Sequence, residues 1–492
     1  MTTVTSTEQS FTSWLRSLVT GHRQALVVFI LCALASRIVA SFVFPTYDDA
    51  YITYRYAWML VHHGQFVYNV NDWVLGTTAP LFGLFQALFV ALSLPNDVMK
   101  VRWNAGMDIA IVIMLLFFCE EQGADRMRSW SALTVLTFLQ PSLARISVGG
   151  MEVNTFAAMS LYAIILFREG RAVRASILCS IAYFLRPESV VLLAILGLTL
   201  LLQRRFIVLS KAVIAGATTV AVPFLVMTFV YGSFLPQSVL AKSHNIHRPL
   251  LMTLGKFMWP EPVTAIMVMM CAAGVVMTMR RKGLRMTSVH VLATAAVTLT
   301  SYSVAGPQVW SWYTEFFLLT LVFGSSLLVA SLPIRFPLHL GFTAWCMISV
   351  IGMASFLAVR GPSAVERHVY RPIRDYCSAN FSAGDSVLAQ DIGIIGYSCA
   401  ATIVDGNALV TRNLDPGISA VDKILRYHPR FILVNNMRAE AEPFTREPLC
   451  SMYVPVVRFA QALPSPEFNP PVLPSTWDDT WVQAYTLYRR SR

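Results

Sequence analysis

The sequence is short of charge: of its 492 residues only 13% are Asp, Glu, Lys or Arg, while 55% are hydrophobic. That scarcity excludes an ordinary soluble globular chain and places the protein among polytopic membrane proteins. It has eight cysteines but no CxxC, which argues against a zinc or redox motif. Cys32, Cys119, Cys179, Cys271 and Cys346 sit inside hydrophobic runs as small apolar residues. Cys377, Cys399 and Cys450, in the polar tail, allow at most one internal disulfide. A GxGxxG phosphate loop is missing; DIGIIGY (391–397) has glycines three apart and nothing more, so a dinucleotide site is not expected. There is no solenoid-like repeat, and the one biased tract, PSPEFNPPVLP (464–474), reads as an extended surface segment. No small-residue cleavage site follows the first hydrophobic run, so that run is expected to stay as an anchor.

What is present is a series of apolar segments. After a polar leader, 1–24, they cover 25–44, 105–119, 130–147, 151–167, 173–185, 188–202, 207–231, 261–279, 287–304, 313–333 and 338–358. A further one, 80–94, is short of the roughly 20 residues that cross a bilayer. The net charge of +11 comes from short basic runs between these segments, the positive-inside pattern, so nucleic acid is not implied. If 80–94 crossed completely, REGRAVR (168–174) and RRKGLR (280–285) would fall outside. With partial entry they and QRRF (203–206) all lie in the cytoplasm. The expected organisation is therefore a leader, a transmembrane domain of about eleven spans over 25–361, and an extracytoplasmic piece over 362–492. In that last piece SVLAQD (386–391) and FILVNN (431–436) read as strands and ISAVDKILRYH (418–428) as an amphipathic helix, a small α/β domain.

The polar loop 45–79 is the first place to look for chemistry, because ionisable residues at span edges are costly and functional. Thr46 can cap a helix with Asp48 and Asp49 in its first turn. Tyr47, Tyr51, Tyr54, Arg55 and Trp58 then share one face, which suits a helix lying at headgroup depth. Asp48 and Arg55, seven apart, lie on the same face, whereas Asp49 points about 100° away. Two carboxylates so arranged should do different jobs. Asp48, steadied by Arg55, is expected to be the general base, with Asp49 orienting an acceptor or ligating a divalent cation if one is used. A helix starting one residue away would exchange the two. A plainer role, complementing the helix dipole, is worth about 0.3–1 kcal/mol.

Other outward-facing residues complete the candidate set. Glu152 follows two glycines in GGMEVN, and Arg186 and Glu188 flank Pro187. Lys242 and Arg248, with His244 and His247, make a basic loop suited to a phosphate headgroup. Trp312 and Tyr313, beside Trp310, can stack on sugar rings or simply form an interfacial belt. His62 and His63 are adjacent and cannot bind one metal as an i, i+4 pair would; a headgroup role suits them better.

DDAYITYRYAWMLVHHGQFVYN followed by GTTAPL resembles the first extracytoplasmic loop of GT-C class glycosyltransferases, most closely the group containing the mycobacterial terminal arabinofuranosyltransferases. GGMEVNTF, FLRPES, YGSFLPQSVLAK and DIGIIGYSCAATIVDG resemble further blocks of that group in the same order. The resemblance implies a multi-pass enzyme of the bacterial cell membrane that moves a sugar from a polyprenyl-phosphate donor to a glycan, lipid or protein acceptor at the outer face. An acid of the first loop would serve as base, or bind a metal in some members. The rival from another class is a transporter or flippase of lipid-linked saccharides, which predicts broken helices and ionisable groups near the bilayer midplane.

Overall fold

In the computed structural model, the structure describes residues 9–243, 249–258, 262–305, 309–332, 366–411, 419–435, 447–460 and 484–491. The expected span 338–358 and the Pro-rich tract 464–474 lie outside them. Six described helices are long and apolar enough to cross a membrane: Arg23–Val43, Met99–Glu121, Phe206–Tyr231, Val263–Arg281, Met286–Ala305 and Ser311–Ser331. Arg23–Val43, at 21 residues, is about 31 Å long, the thickness of the hydrocarbon layer.

The segment read as 130–147 is divided, because Pro141 has no amide to continue the first helix and disfavours a helical residue before it. The pieces are Arg126–Leu139 and Pro141–Val148. The second makes a 105° bend with Val153–Arg168 across the GGMEVN turn, where Gly150 has a left-handed φ of 86°. Pro80–Ala91, Ala172–Ala182 and Ser189–Leu202 are apolar but only 12, 11 and 14 residues long. Within the bundle Arg37 Nε donates to Asp108 Oδ2 at 2.5 Å, and Ser147 and Asn154 complete the carboxylate's hydrogen bonds. This buried pair ties Arg23–Val43 to Met99–Glu121.

The tail is the small α/β domain expected. Strands β1 (Ser386–Ala389), β2 (Thr402–Asp405), β3 (Phe431–Asn435), β4 (Tyr453–Ala460) and β5 (Ala484–Arg490) form one sheet in the order β2-β1-β3-β5-β4. β1 runs parallel to β2 and β3, and β5 antiparallel to β3 and β4. Side chains alternate as strand geometry requires. Val387, Ala389, Ile403, Phe431 and Leu433 join the main core shared with the membrane bundle. Leu388, Val404, Ile432 and Val434 pack with Ile424 of the Ala420–Tyr427 helix on the other face. With both faces covered, β1 and β3 read as continuous apolar runs, which is why they were legible as strands. Cys377 and Cys399 form a disulfide, leaving Cys450 an exposed thiol.

Candidate functional site

The loop helix spans Asp48–His63, opening after extended Tyr47 and closing at left-handed Gly64 (φ 67°). Asp48 and Asp49 do occupy its first turn and diverge. Asp48 turns toward the tail: its Oδ2 and Oδ1 accept the backbone N–H groups of Gly393 and Ile394, each at 2.8 Å. Burial and the nearby Asp391 push its carboxyl up to about 7, against the two amide bonds that favour the anion.

Asp49 instead lines a cavity of about 460 Å³ between the loop, the bundle and the tail. One wall is ionic. Arg186 donates from Nη1 to Glu152 Oε1 at 2.9 Å, and from Nη2 and Nε to Glu188 Oε1 at 2.5 and 3.1 Å. Tyr302 also donates to Glu188, and the guanidinium lies 4.7 Å from the Tyr313 ring centre. Next to it stands an aromatic wall, in which Trp312 stacks parallel on Trp310 at 5.6 Å and meets Tyr47 at 4.7 Å. Thr53 and Thr77 share a 3.1 Å hydrogen bond on the loop side. Leu185, Val191, Val239 and Ala305 supply apolar lining. Ser301 and Ala305 also belong to an apolar recess on the Met286–Ala305 helix, where Val304 is 79% exposed. Among the described residues Glu188 Oε2 and Ser238 Oγ, both at the cavity, have no hydrogen-bond partner. A cavity so built can hold a polyhydroxylated ring against aromatic and ionic walls, with room for an apolar chain in the neighbouring recess.

The fold is shared with ArnT from Cupriavidus metallidurans. Its structures bound to undecaprenyl phosphate and in the apo state each match with a TM-score of 0.61 over 95% of this chain and 98% of theirs, at 10% sequence identity. Mycobacterial arabinofuranosyltransferase AftD matches at a TM-score of 0.48 and 13% identity, over 96% of this chain and 40% of its own. No family model and no curated protein matches the sequence. The architecture is thus the GT-C type expected, a helical membrane domain with a small C-terminal α/β domain.

Of the residues singled out in the sequence, the cavity brings together Asp49, Glu152, Arg186, Glu188, Trp312 and Tyr313. Others go elsewhere. The expected Asp48–Arg55 pairing gives way to separate partners: Arg55 donates to the carbonyls of Tyr68 at 3.0 Å, Gly396 at 2.5 Å and Cys399 at 2.7 Å. The Tyr stripe faces protein in its middle part. Tyr51 and Tyr54 are buried against Tyr397, and the Tyr54 hydroxyl donates to the Gly150 carbonyl. A folded tail covers this face, which helical periodicity alone cannot distinguish from a lipid interface. His62 and His63 are exposed at the far end of the helix, His62 stacked on Trp58 at 4.4 Å. Lys242 belongs to the Gln237–Ser243 helix, with its side chain outside the described residues, as are Arg248, His244 and His247. Among the described residues no cluster of three His, Cys, Asp or Glu is placed to hold a metal. The sequence reading missed Thr53, Thr77, Ser238, Tyr302 and Leu409. Tyr302, a hydroxyl inside an apolar span, carried a readable signal; Leu409 carried none.

Proposed function

We propose that the chain is an integral membrane glycosyltransferase that moves a sugar from a polyprenyl-phosphate donor to an acceptor hydroxyl of a cell-envelope glycan, lipid or protein, with inversion. The observation that carries this reading is Asp49 in a cavity with an ionic–aromatic wall, beside an apolar recess on Met286–Ala305 that shares Ser301 and Ala305 with it. The shared fold of ArnT, solved with undecaprenyl phosphate, supports it. Asp49 takes the acceptor's hydroxyl proton as that oxygen attacks the anomeric carbon. The carbon–oxygen bond to phosphate breaks, its electrons leaving with polyprenyl phosphate. The base is assigned to Asp49 because Asp49 lines the cavity, whereas Asp48 is turned from it to the tail amides. Asp49 would also be the ligand of any divalent ion held there, and repeating the assay with a chelator tests that.

The outer face is supported by three helices. Val153–Arg168 and Ser189–Leu202 begin at the cavity residues Glu152 and Glu188 and end at basic runs. Met286–Ala305 follows a basic run and ends at Tyr302 and Ala305. The positive-inside rule then supports a cavity and tail on the outer face, and a disulfide in the tail suits an oxidising compartment.

Purified protein incubated with a panel of radiolabelled polyprenyl-phosphate sugars and envelope extract should label an acceptor. Asp49→Asn should lower that rate by about 10²–10⁴-fold. A folded variant retaining more than about a tenth of the parent rate would remove Asp49 from the chemistry. The transporter reading draws on the 105° helix break and on the Arg37–Asp108 pair inside the bundle. It predicts movement of intact lipid-linked sugar across vesicles with no transfer product.

A further inference from the structure

We infer that the tail domain is a working part of the transferase site, and that Asp48 and Gly393 are positioning residues that set the aim of Asp49; this rests on the function proposed above. The loop helix holds the short Gly393–Ser398 helix at both ends. Asp48 takes its first amides, and Arg55 takes the carbonyls of Gly396 and Cys399 at its end. Seven residues of helix rise by about 10 Å, and a six-residue helix is about 9 Å long, so the spacing of the two charges matches the element they grip.

Only glycine fits this contact. A Cβ on Gly393 would overlap the Asp48 carbonyl oxygen, and one on Gly396 would overlap the Tyr68 hydroxyl, which donates to the Ile392 carbonyl. Beside the clasp, Asn69 exchanges hydrogen bonds of 2.9 and 3.0 Å with both backbone groups of Ile403 in β2. Gly76 abuts Val410 and Leu409, and Leu409 itself lines the cavity. The tail therefore supplies part of the cavity wall. Two bonds to one carboxylate also fix rotation of the loop helix about its axis. Because Asp49 sits about 100° round from Asp48, that rotation decides where Asp49 points.

The test uses the full-length enzyme in detergent with Gly393→Ala, Asp48→Asn and Leu409→Trp. Displacement of a reacting group by about 1 Å can cost on the order of 10²-fold, so Gly393→Ala should lower kcat by about 10–100-fold and leave donor KM within about threefold. Asp48→Asn should speed hydrogen exchange at the Gly393 and Ile394 amides. Leu409→Trp, which leaves the clasp intact, should instead raise KM for one substrate. If the parent transfers sugar while Gly393→Ala and Leu409→Trp both match it within about twofold in kcat and KM, the inference is overturned. A parent inactive with every donor defeats the functional reading instead. The exchange measurement then judges the clasp by itself, faster exchange supporting it and unchanged exchange refuting it.

Discussion

Arg186 offers the sharpest quantitative test of the cavity wall. Its side chain is 8% exposed and serves two carboxylates, Glu152 and Glu188, whose side chains are 3% and 16% exposed. Replacing it by Met keeps much of the volume and the contact with Tyr313 but removes the donors to both acids. Two carboxylates are then left in a site that solvates them poorly. Breaking a buried ion pair by deleting one partner costs about 3–5 kcal/mol, most of it from the stranded charge and not from the lost attraction. The neutral combination of Arg186→Met with Glu152→Gln and Glu188→Gln removes the stranded charges as well. It should therefore recover most of the loss, to within about 1–2 kcal/mol of the parent. Denaturant titration in mixed micelles, followed by tryptophan fluorescence, measures all three proteins. Two results refute the reasoning: an Arg186→Met protein as stable as the parent, or a triple variant no more stable than Arg186→Met.

Asp48 should give the tail contact a pH dependence. Its carboxyl lies above its ordinary value of 3.8, at about 7, through burial and the nearby Asp391, with Asp49 adding in the same sense. The stability it contributes is therefore full below the unfolded value and lost as pH rises through about 7. Asp48→Asn should flatten the difference in tail stability between pH 4 and 7, read by limited proteolysis; an unchanged profile would count against the assignment. For the membrane face, the exposed thiol of Cys450 is a native reporter. A membrane-impermeant maleimide should label it in intact cells and should spare Arg281→Cys in a Cys450→Ser background. The opposite pattern would reverse the proposed orientation.

Hydropathy and local geometry made much of the molecule legible from residues alone. A run such as 25–44 has few alternatives to a membrane helix, since an unpaired backbone in hydrocarbon is too costly. The apolar runs at 386–391 and 431–436 marked β1 and β3, and the periodicity of 48–63 set apart the directions of Asp48 and Asp49. The expected Thr46 cap is not formed, since the helix opens at Tyr47 with no side-chain cap and the Thr46 hydroxyl accepts from Lys100. Even the shared face of Asp48 and Arg55 was readable from a spacing of seven. What the two charges grip was not. Their partners lie some 340 residues away, at Gly393, Ile394, Gly396 and Cys399, and a backbone amide or carbonyl leaves no mark on side-chain pattern. A charge pair on one face looks the same in sequence whether its members hold each other or a third element between them. The identity of the cavity-facing carboxylate was likewise decided only by the tertiary structure, in which tail amides take Asp48 while Asp49 lines the cavity.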